Sequence, residues 1–423
     1  MEEKQNFLTS RDSNLLYPEN EKEVSEIIKK FYKSNIPIEI IGSGSKRKIG
    51  KPLQCGKILS LSKLDGIVEY QPDELYIKVK AGTKIDKIEN ELKKNKQQLV
   101  FEPIDFGYLF TGKSNCGTAA GQVACNISGP RRFKVGSTRD HILGFRAVNG
   151  RGDIIKSGGT VVKNVTGYDL SKLICNSFGT LAALTEITFK VLPAPEDSKT
   201  LVIHNLGIES APEYLEKAIS SSNEVSGASF LPVDPVCKKC EMNIKNTFKL
   251  NDLKYTGSLT ALRLEGSKKS IEKRVENLKR ELKIQKLDTS ELETLQSEIF
   301  WKKIQNLEFF SSTKNNIFRI VIPPSECINL IYELPLNFKY FLDWGGAVIW
   351  MEGCEISEQK FESIRKKVVK HKGYVSMIKY SDHLPYVEDV FTIDSVRFNI
   401  SQNIKKSFDP KRILNPGKMY TGI

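Results

Sequence analysis

The residues with the clearest chemical potential lie between Glu102 and Pro193. Thirteen of the chain's 29 glycines fall between Gly107 and Gly179, and five of its 14 arginines between Arg131 and Arg151. Glycine permits positive φ and close approach of backbone to a ligand. Arginine offers a planar fork of donors to anionic oxygens. Together they predict backbone wrapped around a phosphate-bearing ligand. Within the stretch, GYLFTGKS (107–114) matches the phosphate-loop consensus GxxxxGK[ST]. Such a loop works by joining a strand to a helix whose first N–H groups face the phosphates. Here Pro103, Ile104 and Asp105 interrupt the approach from the LVFEP run, and the glycine-broken segment after Ser114 makes a poor long helix. No hydrophobic strand ending in a magnesium-binding aspartate follows, so a P-loop NTPase is disfavoured. A second pattern, Gly42-Ser43-Gly44-Ser45, closes the short apolar run IPIEIIG. A Rossmann fingerprint would need a third glycine where Arg47 stands and an acidic ribose ligand further on. What remains is either a nest of N–H groups for a pyrophosphate or a plain strand–turn link.

Other reactive side chains carry less. The four histidines, His141, His204, His371 and His383, show no metal-ligand spacing. His383, in SDHLPY, has the chemistry of a base, but a polar-loop histidine is more simply a surface residue, and so is His141. Cys237 and Cys240 form a CxxC pair without two further ligands nearby, which reads as a surface loop rather than a metal site. The eight cysteines are expected as reduced thiols. No metal site is expected, and no catalytic residue is identified.

The elements that must position the glycine-rich block are legible as patterns. In PENEKEVSEIIKKFY (18–32), Val24, Ile27, Ile28 and Phe31 make one helical face. IPIEIIG (36–42), KILSLSKL (57–64), IVEYQ (67–71) and LYIKVKAG (75–82) read as strands, and KIDKIENELKKN (84–95) as an amphipathic helix. HILGFRAVNGRGDIIKSGG predicts a hairpin turning at NGRG. YDLSKLICN (168–176) predicts a short helix, and LAALTEITFKVLP (181–193) a strongly apolar strand. The polar APEDSK (194–199) marks a boundary. Beyond it, strand-like runs such as LVIHNL, SLTALRLEG, FRIVIP and AVIWMEG alternate with charged helical ones such as KKSIEKRVENLKREL. That alternation predicts helices on one face of an antiparallel sheet.

At 423 residues, more than one core is expected. The formal charge of +13 comes from lysine and reads as a solvated surface. No basic helix, finger or aromatic RNA-binding motif points to nucleic acid. No apolar run could span a bilayer, and MEEKQNFLTSRD lacks a signal-peptide core, so a cytoplasmic protein is expected.

The order of the motifs says more than any one of them. IPIEIIGSGS, LDGIVEYQPDELYIKVKAGT, GTAAGQVACNISGPRR, GSTRDHILG, VVKNVTGYDLSKL and GTLAALTEITFKVLP follow one another as in the FAD-binding domain of the vanillyl-alcohol oxidase/p-cresol methylhydroxylase superfamily. The chain resembles that superfamily over roughly residues 10–195. FDPKRILNPGK resembles its C-terminal segment that returns to the flavin. SGPRR, KNVTGYDL and DWGGA are most similar to the FAD-binding subunits of bacterial glycolate oxidases (glycolate dehydrogenases).

The resemblance implies an α+β protein. Its parts would be a two-subdomain FAD-binding domain of the p-cresol methylhydroxylase type (1–195), a second α+β, ferredoxin-like domain (196–405) for substrate or subunit contacts, and a returning C-terminal segment (406–423). It implies FAD held by Gly42, Ser43, Gly44 and Ser45, by Gly117, Thr118 and Gly121 with Ser128 and Gly129 beside them, and by Gly136, Ser137 and Thr138. Ile187 would face the adenine side through its backbone, and Asn415 and Lys418 would reach the isoalloxazine. The family's Gly-Gly pair is Ala120-Gly121 here. The histidine that carries covalent flavin in some relatives has no counterpart in GSGSKRKIG, so noncovalent FAD is expected. A C-terminal histidine cluster that holds a metal in related 2-hydroxy-acid dehydrogenases is missing. The implied activity is oxidation of glycolate to glyoxylate within a complex. Its other members would be a second, catalytic FAD-containing subunit and an iron–sulfur subunit, with peripheral association at the inner membrane through that complex. Alternatives are a stand-alone 2-hydroxy-acid dehydrogenase and a noncatalytic, FAD-stabilised assembly subunit.

Overall fold

The structure is a computed structural model that describes residues 14–161, 167–232, 257–310, 314–334, 338–353, 356–381 and 390–423. Cys237, Cys240 and His383 lie outside the described residues. The chain forms two compact units. The first gathers residues 1–128, 136–194 and 393–423, and the second gathers 129–135 and 195–392.

Unit 1 begins with β1 (Leu15–Leu16), α1 (Glu21–Ser34), β2 (Ile38–Ile41) and β3 (Lys57–Ser60). Asn20 caps α1 by accepting from the Glu23 N–H at 3.0 Å, and Asn35 ends it in the left-handed conformation. Val24, Ile28 and Phe31 point into the core as the helical spacing predicts. The three strands make a parallel sheet in the order β1-β3-β2. Then come β4 (Ile67–Gln71), β5 (Tyr76–Lys80), α2 (Ile85–Lys94), β6 (Gln97–Gln98), α3 (Gly107–Thr111) and α4 (Ala119–Cys125). After α5 (Arg132–Val135), which belongs to unit 2, follow β7 (Ile142–Asn149), β8 (Ile154–Gly158), α6 (Leu170–Ile174), β9 (Ala182–Lys190) and β10 (Leu192–Pro193). A five-stranded antiparallel sheet has the order β4-β5-β9-β7-β8, and the NGRG turn closes the β7–β8 hairpin. Fully buried Ile77, Val79, Ala147, Ile187 and Phe189 pack with Val24 and Ile28 of α1 in one hydrophobic core. Each such Val, Ile or Phe contributes roughly 1.5–3 kcal/mol on burial.

Unit 2 is built on β11 (Asp197–His204), α7 (Ala211–Ser220), β12 (Gly227–Leu231), β13 (Leu259–Gly266), α8 (Lys268–Glu281), β14 (Thr289–Leu292) and α9 (Thr294–Gln305). It continues with β15 (Asn316–Val321), α10 (Cys327–Glu333), β16 (Phe338–Asp343), β17 (Val348–Gly353), α11 (Glu358–Lys370) and β18 (Tyr374–Lys379). Its strands form one eight-stranded antiparallel sheet, ordered β14-β11-β13-β12-β16-β17-β15-β18. Alternation divides the sheet's two faces. Leu201, Leu262, Phe230, Leu342, Met351, Phe318 and Met377 join Leu215, Ile271, Leu278, Phe361 and Ile364 of the helices in a second core. The opposite face carries Thr200, Ser229, Arg263, Asp343, Arg319 and Trp350, all buried.

The chain closes in unit 1 with α12 (Ser395–Phe408) and a tail that adds to β2: Ile38 N donates to Ile413 O at 2.8 Å and Asn415 N to Ile38 O at 3.1 Å. No helix among the described residues is long and apolar enough to cross a membrane.

Candidate functional site

The geometry of GYLFTGKS is the reverse of a phosphate loop. Gly107–Thr111 is itself helical, and Gly112 ends that helix in the left-handed conformation. Asp105 holds its start by accepting from Gly107 N at 3.0 Å.

The site lies instead after β2. There the chain enters a tight loop over residues 42–50 beside a cleft of about 730 Å³, part of it open to solvent. Gly42 is required because a Cβ there would run into Thr118 Oγ1. Gly44 sits at φ 83°, where a side chain is strained. The N–H groups of Ser43, Gly44, Ser45 and Lys46 donate to no acceptor among the described residues. Arg47, which with Glu39 also lines the cleft, makes a bidentate pair to that glutamate, both bonds 2.8 Å.

Across the cleft, α4 presents Ala120, Gly121, Ala124 and Cys125. Its own first N–H groups are already used. Ala119 N donates to Thr83 O at 2.9 Å, Ala120 N to Ala81 O at 3.0 Å, and Gly121 N to Thr118 Oγ1 at 3.4 Å. The second loop therefore offers a close, smooth wall, and unspent donors come from the first loop.

The tail supplies the third side. Asn415 ties three strands of chain together: its Oδ1 accepts from Ile40 N at 2.6 Å, and its Nδ2 donates to Phe178 O at 2.7 Å and Ile40 O at 3.3 Å. Lys418 is buried, and its Nζ donates to Arg47 O at 2.7 Å and Lys51 O at 3.2 Å. Burial pushes the Lys418 ammonium down to about 8, against the pull of Glu39. Lys46, also buried, is pushed down by the same desolvation, opposed by Cys125, Asp105 and Cys116. Two desolvated ammonium groups beside unspent backbone donors make a site for an anion. Leu61, Phe178, Ala182 and Leu184 line the remainder with apolar surface. The donor set, the two cations and the mixed wall fit a long ligand with a pyrophosphate in its middle.

Of the residues expected from the sequence, Gly42, Ser43, Gly44, Ser45, Thr118, Gly121, Asn415 and Lys418 come together on this cleft. Gly117 adjoins it, its carbonyl accepting from Ile85 N at 3.1 Å. Ser128 and Thr138 are buried in a separate knot, with Thr138 N donating to Ser128 Oγ at 3.1 Å and Gln122 Nε2 to Thr138 Oγ1 at 3.0 Å. Ser137 N donates to Asp140 Oδ2 at 2.8 Å, and Gly136 turns at φ 87° before it. Ile187 is fully buried in β9, paired with Val79 and Phe145, and is not on the cleft wall. Gly129 belongs to unit 2, where its carbonyl accepts from Trp344 Nε1 at 3.0 Å. Lys46, Cys125, Phe178, Gly179, Ala182 and Leu184 line the cleft without having been expected there. Lys46 was within reach, since it follows the expected loop directly; the others are brought in by packing alone. The described histidines serve elsewhere: His204 Nε2 meets Ser290 Oγ at 2.8 Å, His371 Nδ1 meets Glu326 at 2.8 Å, and His141 packs on Phe101. Among the described residues no group of three or more His, Cys, Asp and Glu is placed to hold a metal ion.

Fold and cleft define an FAD-binding protein of the p-cresol methylhydroxylase type. Residues 13–158 match the family description of an FAD binding domain. The structure superposes on p-cresol methylhydroxylase with substrate bound at a TM-score of 0.69 and 15% identity, covering 97% of this chain and 88% of that one. More narrowly, the chain is 31% identical over 389 residues to glycolate oxidase subunit GlcE of Escherichia coli, covering 92% of this chain and 93% of the relative. It is 26% identical to glycolate oxidase subunit GlcD of Bacillus subtilis, covering 96% and 88%. It is 27% identical to a D-lactate dehydrogenase of Archaeoglobus fulgidus, covering 95% and 90%. The chain belongs to this family of FAD-binding oxidoreductase subunits, and FAD is its cofactor.

Proposed function

We propose that the chain is the FAD-binding subunit of a glycolate-oxidising complex, converting glycolate to glyoxylate together with a second FAD-containing subunit and an iron–sulfur subunit. The observation that carries this reading is similarity to GlcE along nearly the whole of both chains. The cleft supports it from the physical side. The unspent amides of Ser43 to Lys46 and the Lys46 and Lys418 ammonium groups hold the anionic middle of FAD. Thr118 and Gly121 let that part of the cofactor lie against α4, and Asn415 holds the tail against β2 so that Lys418 stays on the cleft. Charge-assisted hydrogen bonds of this kind contribute roughly 1.5–3 kcal/mol each, enough for tight noncovalent binding. FAD, when bound, supplies the acceptor for the two electrons and the hydrogen leaving the hydroxyl-bearing carbon of the acid. The protein's share is to bind, to exclude water and to fix the cofactor's orientation. Soluble assembly with peripheral attachment to a membrane through partner subunits is part of the same proposal.

The purified chain is expected to show a flavin absorbance band, and acid precipitation is expected to release all of that flavin into the supernatant. With glycolate and an artificial electron acceptor, the chain alone is expected to turn over slowly and the reconstituted complex rapidly. A colourless chain that FAD cannot reconstitute would sink the reading, and rapid turnover by the chain alone would remove its dependence on partners.

A further inference from the structure

The charged face of the unit 2 sheet holds one residue out of balance. Arg263 lies over the Trp301 ring at 4.7 Å and donates to Ser226 Oγ and Ser226 O. Burial alone would raise the Glu265 carboxyl, but Arg263 and Arg131 hold it well below the usual range. Lys339 and Glu352 face one another at 3.9 Å. Asp343 Oδ1 accepts from Ser229 Oγ at 2.7 Å and from Trp344 N at 2.8 Å. Arg319, on β15, differs. Its side chain is more than nine-tenths buried, and its Nε and Nη2 have no hydrogen-bond partner among the described residues.

The shape of that deficit is informative. Nε and Nη2 form the side-on edge of a guanidinium, the edge that grips a carboxylate with two parallel bonds. Four other arginines among the described residues use the same edge on a carboxylate: Arg47 on Glu39, Arg131 on Glu265, Arg146 on Glu21 and Arg365 on Glu362. In Arg319 the flat faces are engaged instead. Its guanidinium lies 5.0 Å from the Trp344 ring centre and 5.7 Å from that of Trp350, its partner across the β15–β17 ladder. Arg132 lies over the same Trp344 ring at 4.8 Å, which adds a second positive charge. Burial, with Arg132 nearby, pushes Arg319 down to about 10, opposed by Tyr374, which also hydrogen-bonds its side chain, and by Asp343. It therefore remains charged near neutrality while Nε and Nη2 stay unpaired among the described residues. Tyr374 itself is 43% exposed, one side chain from solvent.

We propose that the Nε–Nη2 edge of Arg319, held between Trp344 and Trp350, is a carboxylate site for one small organic acid. The 2-hydroxy-acid identity of that acid rests on the function proposed above; the site itself does not.

Trp344 and Trp350 are two of the chain's three tryptophans, so indole emission reports directly on the site. FAD-loaded protein would be titrated with glycolate, with oxalate and with ethylene glycol, which lacks a carboxylate. A saturable change is expected with both acids and none with ethylene glycol. Arg319→Met is expected to raise the apparent Kd at least about tenfold, while its flavin absorbance band shows that the FAD unit is intact. Should Arg319→Met fail to fold, Arg319→Lys keeps a cation without the planar fork, and weaker oxalate binding is again expected. The proposal fails if neither acid changes the emission of the wild-type chain, if ethylene glycol acts as they do, or if the folded variant binds as well as the wild type. Glycolate turnover without Arg319-dependent binding would sink the site and spare the proposed function. Arg319-dependent oxalate binding in an assembly that never oxidises glycolate would do the reverse.

Discussion

Lys418 is the residue whose charge the cleft controls most directly. Desolvation holds its pKa at about 8, below the 10.5 of an exposed lysine. Between those values the folded, FAD-free protein binds fewer protons than the unfolded chain, so its stability rises with pH across that window. An anion placed beside Lys418 favours the ammonium, so FAD affinity runs the other way and falls as pH rises through about 8. At pH 9 up to about a tenfold loss relative to pH 7 is expected, because one pH unit above the pKa leaves about a tenth of the ammonium. Flavin-fluorescence titrations at the two pH values measure it. Lys418→Met is expected to weaken binding at pH 7 and to flatten most of the pH dependence; equal wild-type affinity at both values would show that Lys418 does not meet the anion.

At the scale of elements, α12 and the tail complete the cleft through a buried ion pair. Lys405 is wholly buried, and its Nζ donates to Asp409 Oδ2 at 2.8 Å, Thr180 O at 2.7 Å and Leu414 O at 2.8 Å. Asp409 Oδ2 also accepts from Leu414 N at 2.8 Å, which starts the tail toward β2. Removing one partner strands the other charge, at a cost of about 3–5 kcal/mol. Lys405→Met is therefore expected to lower the temperature at which flavin is released by at least several degrees. Lys405→Met combined with Asp409→Asn is expected to cost less than the sum of the two single changes, as thermal release curves in a double-mutant cycle would read. Nothing in FDPKRILNPGK identified that pair, because a lysine and an aspartate four apart usually meet on a solvated face. Patterns with period and caps were legible: the α1 face, the hairpin at NGRG and the apolar run that becomes β9. The four-residue strand β14 (Thr289–Leu292) was not, since its polar TSEL has no apolar alternation. In the cleft, the Gly42–Ser45 loop and the Asn415–Lys418 tail could be found by family order. Phe178, Ala182 and Leu184 could not, because only tertiary packing brings β9 and the preceding turn to α4.

At the scale of the molecule, the two units have separate hydrophobic cores and separate reporters. One core is built from β4, β5, β7, β9, α1 and α4, the other from the eight-stranded sheet and its helices. The cleft residues all fall in unit 1, whereas Trp301, Trp344 and Trp350, the chain's only tryptophans, all fall in unit 2. Flavin emission therefore follows one unit and indole emission the other. A ligand that binds only a folded state stabilises it by mass action, about 2.7 kcal/mol at a free concentration 100 times its Kd. Excess FAD is expected to raise the temperature of flavin release while leaving the tryptophan transition where it was. The two probes are then expected to trace non-coincident curves, the mark of unfolding that is not all-or-none. A small carboxylate acting at Arg319 should shift the tryptophan transition and leave flavin release unmoved. Coincident curves that move together with FAD would mean that the two cores melt as one cooperative body, and that the stability of the carboxylate site is set by cofactor binding.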